Sequence, residues 1–289
     1  MIDDLQNHFN RIINEQNRSQ IQEFEGYSPD EMEFILYDIF NPGCPVQLVK
    51  LADSEYHKIP LLNQANYLAD MIATAGELKL TNSGYLPPKI VIDLYSQGYL
   101  KEEFIEAGIT KLNRESASNT ITLTRILLTF AGVIKKRKNM LSLTVKGSQI
   151  LSDKYQLLRS LFLAFSSKFN WAYFDGYGQN IVGQFGFGFS LVLLSKYGIE
   201  KRPDSFYADR YFKAFPQLID HSIKPRFSTV EDQHSTCYSL RTFDRFLAYW
   251  GLIKIEQEKK LISTKYISKT ELFDQLIVCL PHRQSNEYN

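Results

Sequence analysis

Lys135, Lys136, Arg137 and Lys138 stand in an unbroken row. Four adjacent cations can neutralise phosphates, and each such contact releases counterions and adds sequence-independent affinity for nucleic acid. The row lies within Ala131-Gly-Val-Ile-Lys-Lys-Arg-Lys-Asn-Met-Leu-Ser-Leu-Thr144. That stretch reads as two short strands, 133–136 and 140–144, with a turn at Arg137-Lys138-Asn139. A bland role competes with the chemical one, because Lys-rich strand edges also resist pairing with other chains. The apolar helix expected over 120–130 precedes the hairpin and offers Arg125 with Thr122, Thr124 and Thr129. This is a thin set for reading base edges, which are recognised chiefly by Arg, Lys, Asn and Gln. The candidate nucleic-acid-binding residues are therefore Arg125, Lys135, Lys136, Arg137 and Lys138, with double-stranded DNA as the candidate partner.

A second candidate is the aromatic and glycine-rich passage from Phe169 to Gly188. Trp171, Tyr173, Phe174 and Tyr177 could line a pocket, stack bases or form an interface. They could equally be packing residues, with glycines letting backbones approach. Gly183-x-x-Gly186-x-Gly188 is not the Gly-x-Gly-x-x-Gly order of dinucleotide binding, and no Gly-Lys-Ser/Thr follows. His8, His57, His221, His234 and His282 are scattered, so no metal site is expected. There is no Gly-x-Ser-x-Gly elbow. Neither a cofactor nor a catalytic set is predicted, and an enzyme with an aromatic-lined pocket is the least favoured of three readings.

The bulk numbers narrow the class. The chain has 289 residues, 44% of them hydrophobic, with 20 Phe and 17 Tyr, enough for sizeable packed cores. The formal net charge is +1, so any anion-binding surface must be local. Three cysteines (Cys44, Cys237, Cys279) lie far apart without Cys-x-x-Cys spacing, which fits a reducing, cytoplasmic setting. No run approaches the ~18–20 apolar residues of a membrane span, and the acidic, polar start is unlike a signal peptide.

The elements that must hold these residues follow from periodicity and breakers. Leu5, Phe9, Ile12 and Ile13 predict an amphipathic helix within 1–23, packed on the body or a partner. Ser28-Pro29-Asp30-Glu31 predicts a capped helix start, and Asn41-Pro42-Gly43 its end. Pro60 opens a helix through Ala75, Glu77–Thr81 alternates as a short strand, and Pro87-Pro88 opens the next helix. Apolar helices are expected over 152–170, 189–197, 205–215, 239–250 and 271–280. Strands are expected at Leu252–Glu256 and Lys260–Thr264.

Self-similarity ties the two halves together. Phe130-Ala-Gly-Val-Ile-Lys matches Tyr249-Trp-Gly-Leu-Ile-Lys, and Leu141-Ser-Leu-Thr144 matches Leu261-Ile-Ser-Thr264 with one residue gained in the turn. The order of helix, short strand, helix, helix, strand, turn, strand is that of a winged helix, a helix-turn-helix variant. The expectation is a mainly α (α+β) protein of tandem winged-helix-like units with short β-hairpins. Its segments are an N-terminal helical segment (1–59), a first unit (60–151), a helix and aromatic/Gly-rich connector (152–184) and a second unit (185–289).

Six passages carry a resemblance: Gly26-Tyr-Ser-Pro-Asp-Glu-Met32, Lys79-Leu-Thr-x-x-Gly-x-Leu-Pro87, Phe169-Asn-Trp-Ala-Tyr-Phe174, Phe185-Gly-Phe-Gly-Phe-Ser190, Tyr207-Ala-Asp-Arg-Tyr-Phe-Lys-Ala-Phe-Pro216 and Tyr238-Ser-Leu-Arg-Thr-Phe-Asp-Arg-Phe246. Over about residues 24–275 the chain resembles an uncharacterised bacterial family. That family is similar to the region following the main domain of Ri-plasmid open-reading-frame-three-like proteins. The resemblance implies a domain of unknown function and carries over no catalytic residue. Two function classes therefore remain in front: a nucleic-acid-binding or regulatory protein, and a protein-interaction scaffold or homo-oligomer using the same fold.

Overall fold

The computed structural model describes residues 2–258 and 264–283. In chain order the helices are α1 (Ile2–Asn17), α2 (Pro29–Tyr37), α3 (Pro60–Ala75), α4 (Pro88–Ser96), α5 (Glu103–Glu106), α6 (Asn119–Phe130), α7 (Val145–Leu151), α8 (Lys154–Leu163), α9 (Phe187–Tyr197), α10 (Asp204–Ala214), α11 (Val230–Ser239) and α12 (Glu271–Leu276). The strands are β1 (Val46–Leu48), β2 (Leu78–Lys79), β3 (Ile134–Arg137), β4 (Met140–Leu143), β5 (Arg202–Pro203), β6 (Ile253–Gln257), β7 (Lys265–Lys269) and β8 (Ile277–Cys279). π-helical stretches, Ala164–Lys168 and Leu240–Leu247, continue α8 and α11. The fold is thus mixed, mostly helical with small antiparallel sheets. Among the described residues no helix is long and apolar enough to cross a membrane.

Two compact units partition the chain. Unit 1 is Met1–Val49, Asn180–Arg245 and Leu252–Asn289, and unit 2 is Lys50–Gln179 with Phe246–Gly251. Neither is a single continuous segment, so the grouping runs across the linear segments expected from the sequence.

Unit 2 starts from α3, where Pro60 occupies a first-turn position that needs no N–H donor. The expected face of Leu61, Leu62, Ala65, Leu68, Ala69 and Ile72 is buried. β2, β4 and β3 form one antiparallel sheet in that order. Lys138 (φ +49°) and Asn139 (φ +62°) close the β3–β4 hairpin; positive φ at both central residues is what a type I′ turn requires. Asn139 Nδ2 donates to Leu80 O (3.2 Å) and Thr81 O (2.8 Å), fastening β2 to the turn. At the other end, Thr144 Oγ1 donates to Gly132 O (2.6 Å) and accepts the Gly147 N–H (2.7 Å), which caps α7. A Cβ on Gly147 would fall 2.0 Å from Val133 O, so only glycine fits there.

The aromatic core of unit 2 is assembled from distant segments. Phe162 stacks on Trp250 (centroids 4.9 Å apart), and Phe246 lies 4.9 Å from Phe165 and 4.6 Å from Trp171. All five are buried.

In unit 1, α2 begins with the expected capping box: Ser28 accepts from Glu31 N–H and Glu31 accepts from Ser28 N–H. α9 lies on α2 through Gly188, where a Cβ would be 2.7 Å from Ile35 O. The sheet of this unit has the order β5-β7-β6. Two expectations change here. The strand expected at Lys260–Thr264 falls, except for Thr264, outside the described residues; the partner of β6 is Lys265–Lys269, followed by Thr270 as the N-cap of α12. The helix expected over 271–280 ends at Leu276, because residues 277–279 leave it to pair with β1 in the register Val46↔Cys279, Gln47↔Val278 and Leu48↔Ile277.

That last strand is clasped by one carboxylate. Glu31, buried, accepts from His282 Nδ1 (2.6 Å) and Arg283 N–H (2.9 Å) as well as from Ser28. Tyr27 OH donates to Leu280 O (2.6 Å). Burial disfavours the charged form of Glu31, but the hydrogen bonds from His282, Ser28 and Arg283 outweigh it, and the carboxyl sits below its ordinary value of 4.5. A depressed carboxyl contributes stability that is complete above its unfolded pKa and is lost as pH falls through the lower folded value. Urea midpoints of wild type and Glu31→Gln should therefore differ at pH 7 and converge as the pH is lowered below 4.5. Gly147→Ala should cost about 3 kcal/mol by overpacking, read as a lower urea midpoint at unchanged slope.

Candidate nucleic-acid interface

The pairing register of the unit 2 sheet decides which way its cations face. Ile134↔Leu143 and Leu78↔Leu141 are core rows, with Ile134, Leu141 and Leu78 buried. Side chains alternate along each strand and partners share a face. Lys79, Met140 and Arg137 therefore form one row across all three strands on the outer face, with Lys135 opposite Ser142 beside it. Lys138 sits in the turn. Lys136 shares the side of Leu141 but lies at the sheet edge, its Nζ against Gly84 in the turn after β2. Lys79, Lys135, Lys136, Arg137 and Lys138 are all exposed. Among the described residues none of the five makes an ion pair or side-chain hydrogen bond.

Lys79 was not singled out from the sequence. The signal was present: alternation in Glu77-Leu-Lys-Leu-Thr81 places Lys79 on the polar face, and only the register of β2 against β4 brings it level with Arg137.

Arg125 does not join this group. Its Nε donates to Glu115 Oε1 at 2.6 Å, and Glu115 is fully buried. The second oxygen of Glu115 accepts the Leu86 N–H (2.6 Å), and its backbone carbonyl accepts from Thr122 Oγ1 (3.1 Å). Gln64 Nε2 donates to Thr120 O (3.1 Å) and Thr124 Oγ1 (2.8 Å). Thr120 to Thr124, Leu127 and Leu128 are all buried, leaving Asn119, Thr129 and Phe130 as the exposed residues of α6. A helix enclosed this way has no face to lay in a major groove.

The aromatic candidates separate as well. Trp171 is core: its Nε1 donates to Phe165 O (2.8 Å) and its ring packs on Phe246. Phe174 and Tyr177 are half-buried, and Phe174 lies 5.8 Å from Phe169. Only Tyr173 of the four is largely exposed, its ring edge-on to Phe174 at 4.9 Å.

The outer face of the unit 1 sheet has another character. Its row is Pro203, Tyr266 and Glu256, and Glu256 pairs with Lys201 at 2.5 Å. Unit 1 also holds a pocket of about 350 Å³ lined by Tyr27, Ser195, Lys196, Cys279 and His282 among others. Burial pushes the Cys279 thiol up to about 11, so it stays protonated at neutral pH and is a poor nucleophile. Lys196 is tied to Glu25 at 2.7 Å. The polar groups there hold the fold together, and no group of three or more His, Cys, Asp or Glu among the described residues could hold a metal ion.

No family model, curated protein or solved structure matches this chain.

Removing the Arg125 guanidinium leaves a buried carboxylate uncompensated, a change that costs about 3–5 kcal/mol. Arg125→Met should lower the urea midpoint sharply, and the double variant Arg125→Met with Glu115→Gln should recover part of the loss.

Proposed function

We propose that this is a non-enzymatic nucleic-acid-binding or regulatory protein of the cytoplasm. In this reading each three-stranded sheet and its helices form a winged-helix-like unit, and the β3–β4 wing of unit 2 holds the backbone of duplex DNA. The observation that carries the reading is the outer-face row Lys79, Met140 and Arg137 with Lys135 and Lys138 beside it, the four cations among them exposed and unpaired within the described residues. The shared order, with a short strand outermost and the second hairpin strand in the middle, supports the winged-helix part. Phosphate contacts position a protein on DNA but carry no sequence information. With α6 enclosed, recognition is of backbone and shape.

The competing reading is a protein-interaction module of the same fold. It is favoured by the paired charges on the outer face of the unit 1 sheet, and by β3 being an edge strand, where cations also prevent unwanted pairing.

Anisotropy titrations with a labelled random-sequence duplex separate the two. Each phosphate contact contributes about −0.9 to the slope of log K against log salt, so the four or five cations predict a slope of roughly −4 by the same relation. Affinity should be indifferent to duplex sequence. Lys79→Glu with Arg137→Glu should remove binding, and Arg125→Lys should leave the slope unchanged. Absence of binding by folded wild-type protein at low salt would overturn the proposal in favour of the interaction module.

A further inference from the structure

Two arginines of unit 1 share one aromatic ring. The Cζ atoms of Arg202 and Arg210 lie 4.6 Å and 4.4 Å from the centre of the Phe206 ring. Arg210 is also 4.6 Å, and Arg202 5.8 Å, from the centre of Tyr197, whose ring meets Phe206 edge to face at 5.2 Å. β5 supplies Arg202, the end of α9 supplies Tyr197, and α10 supplies Phe206 and Arg210 one turn apart. Stacking of this kind steadies a guanidinium plane and leaves N–H groups at its edge. The side chains of Arg202 and Arg210 remain 33% and 32% exposed.

The protein's own carboxylates answer these charges only in part. Glu25 Oε2 accepts from Lys196 Nζ (2.7 Å) and Tyr197 OH (2.6 Å), and its Oε1 stands 3.7 Å from Arg210, too far for a hydrogen bond. Among the described residues the Arg210 side chain makes no hydrogen bond, and the Nε atoms of Arg202 and Arg210 are both buried without an acceptor. Arg202 pairs with Glu200 at 2.8 Å, but that carboxylate is 74% exposed, and exposed pairs contribute little. Lys213, one turn beyond Arg210, is exposed and has no ion pair among the described residues, and the exposed Asp209 pairs with none of these cations. Arginines held in place with donors unspent favour an acceptor brought from outside.

We propose that Arg202 and Arg210 bind a phosphoryl dianion, as inorganic phosphate or as the head of a small monoester. Charge and shape select this anion. A phosphate monoester carries about −1.5 to −2 at neutral pH and three acceptor oxygens, enough for two guanidinium forks to share. A carboxylate offers one charge and two oxygens. Glu200 and Asp209 flank the site in sequence and disfavour a strand of successive phosphates, so an isolated phosphoryl group suits it better than a nucleic-acid backbone. The site is thus independent of the wing of unit 2.

Phosphorus NMR titrations of the full chain with inorganic phosphate and, separately, phenyl phosphate test this. Saturable line broadening is expected, with a dissociation constant on the order of 1 mM. The tighter of the two probes tells whether the free ion or an ester is the better ligand. Affinity should rise as the pH is raised through about 6, where the second phosphate proton leaves, and equimolar benzoate should not displace the probe. Arg210→Lys keeps the charge but loses the planar fork, and should weaken binding about tenfold or more. Arg202→Gln should do the same, and it carries the test should the Arg210 variant fail to fold. Lys79→Glu with Arg137→Glu should leave phosphate binding unchanged, so failure here and failure of duplex binding are separate results. Wild-type protein that broadens neither line overturns the proposal. So does displacement by equimolar benzoate, or wild-type affinity in a folded Arg210→Lys or Arg202→Gln variant.

Discussion

A carboxylate with no access to water has to be answered by its neighbours, and in unit 2 that carboxylate is Glu115. One oxygen takes the Arg125 guanidinium from α6 and the other takes the Leu86 N–H just before α4. Its backbone carbonyl adds Thr122. One residue thereby fixes the start of α4, the 3-10 turn Glu115–Ala117 and the middle of α6. The hairpin follows directly from α6 through Gly132, so its placement depends on the same charge. The pair also consumes the one arginine of the helix, so α6 adds no free cation to those of the sheet.

The two sheets share a strand order and differ in what covers their outer faces. In unit 2 the rows are cationic and open, whereas in unit 1 glutamate, lysine and tyrosine interleave and Lys201 answers Glu256. Lys265, on the inner side of β7 with Ile267, is tied to Asp244 at 2.6 Å. Burial holds the Asp244 carboxyl above its ordinary range even with Lys265 beside it, the sign of a pair placed for packing. Similar backbones therefore carry dissimilar surfaces, as expected when fold and chemistry vary independently.

What could be read from the sequence was local. Ser28-Pro29-x-Glu31 capped α2 as its spacing requires, Pro60 opened α3, and the first hairpin formed within one residue of its expected limits. What could not be read needed partners far away in the chain. Residues 277–279 are as apolar as a helix end, and only β1, more than two hundred residues earlier, makes them a strand. Gln64 and Glu115 are polar residues that burial would normally exclude, and their roles appear only when Thr124 and Arg125 are set beside them. Lys79 needed a register. Arg125 looked available because a helix wheel shows direction but not what lies opposite.

The return of residues 246–251 to unit 2 has a consequence for synthesis. A ribosome makes a chain from its N-terminal side onward, and domains generally begin folding as their residues emerge. Residues 50–179 are complete long before Phe246 and Trp250, yet those two rings fill the core beside Phe162, Phe165 and Trp171. Until they arrive, unit 2 carries an open aromatic cavity. Its final closure is tied to the same late stretch that leads into β6 of unit 1. The two units are thus coupled in time by the path of the backbone, and a truncation anywhere before residue 250 leaves both unfinished.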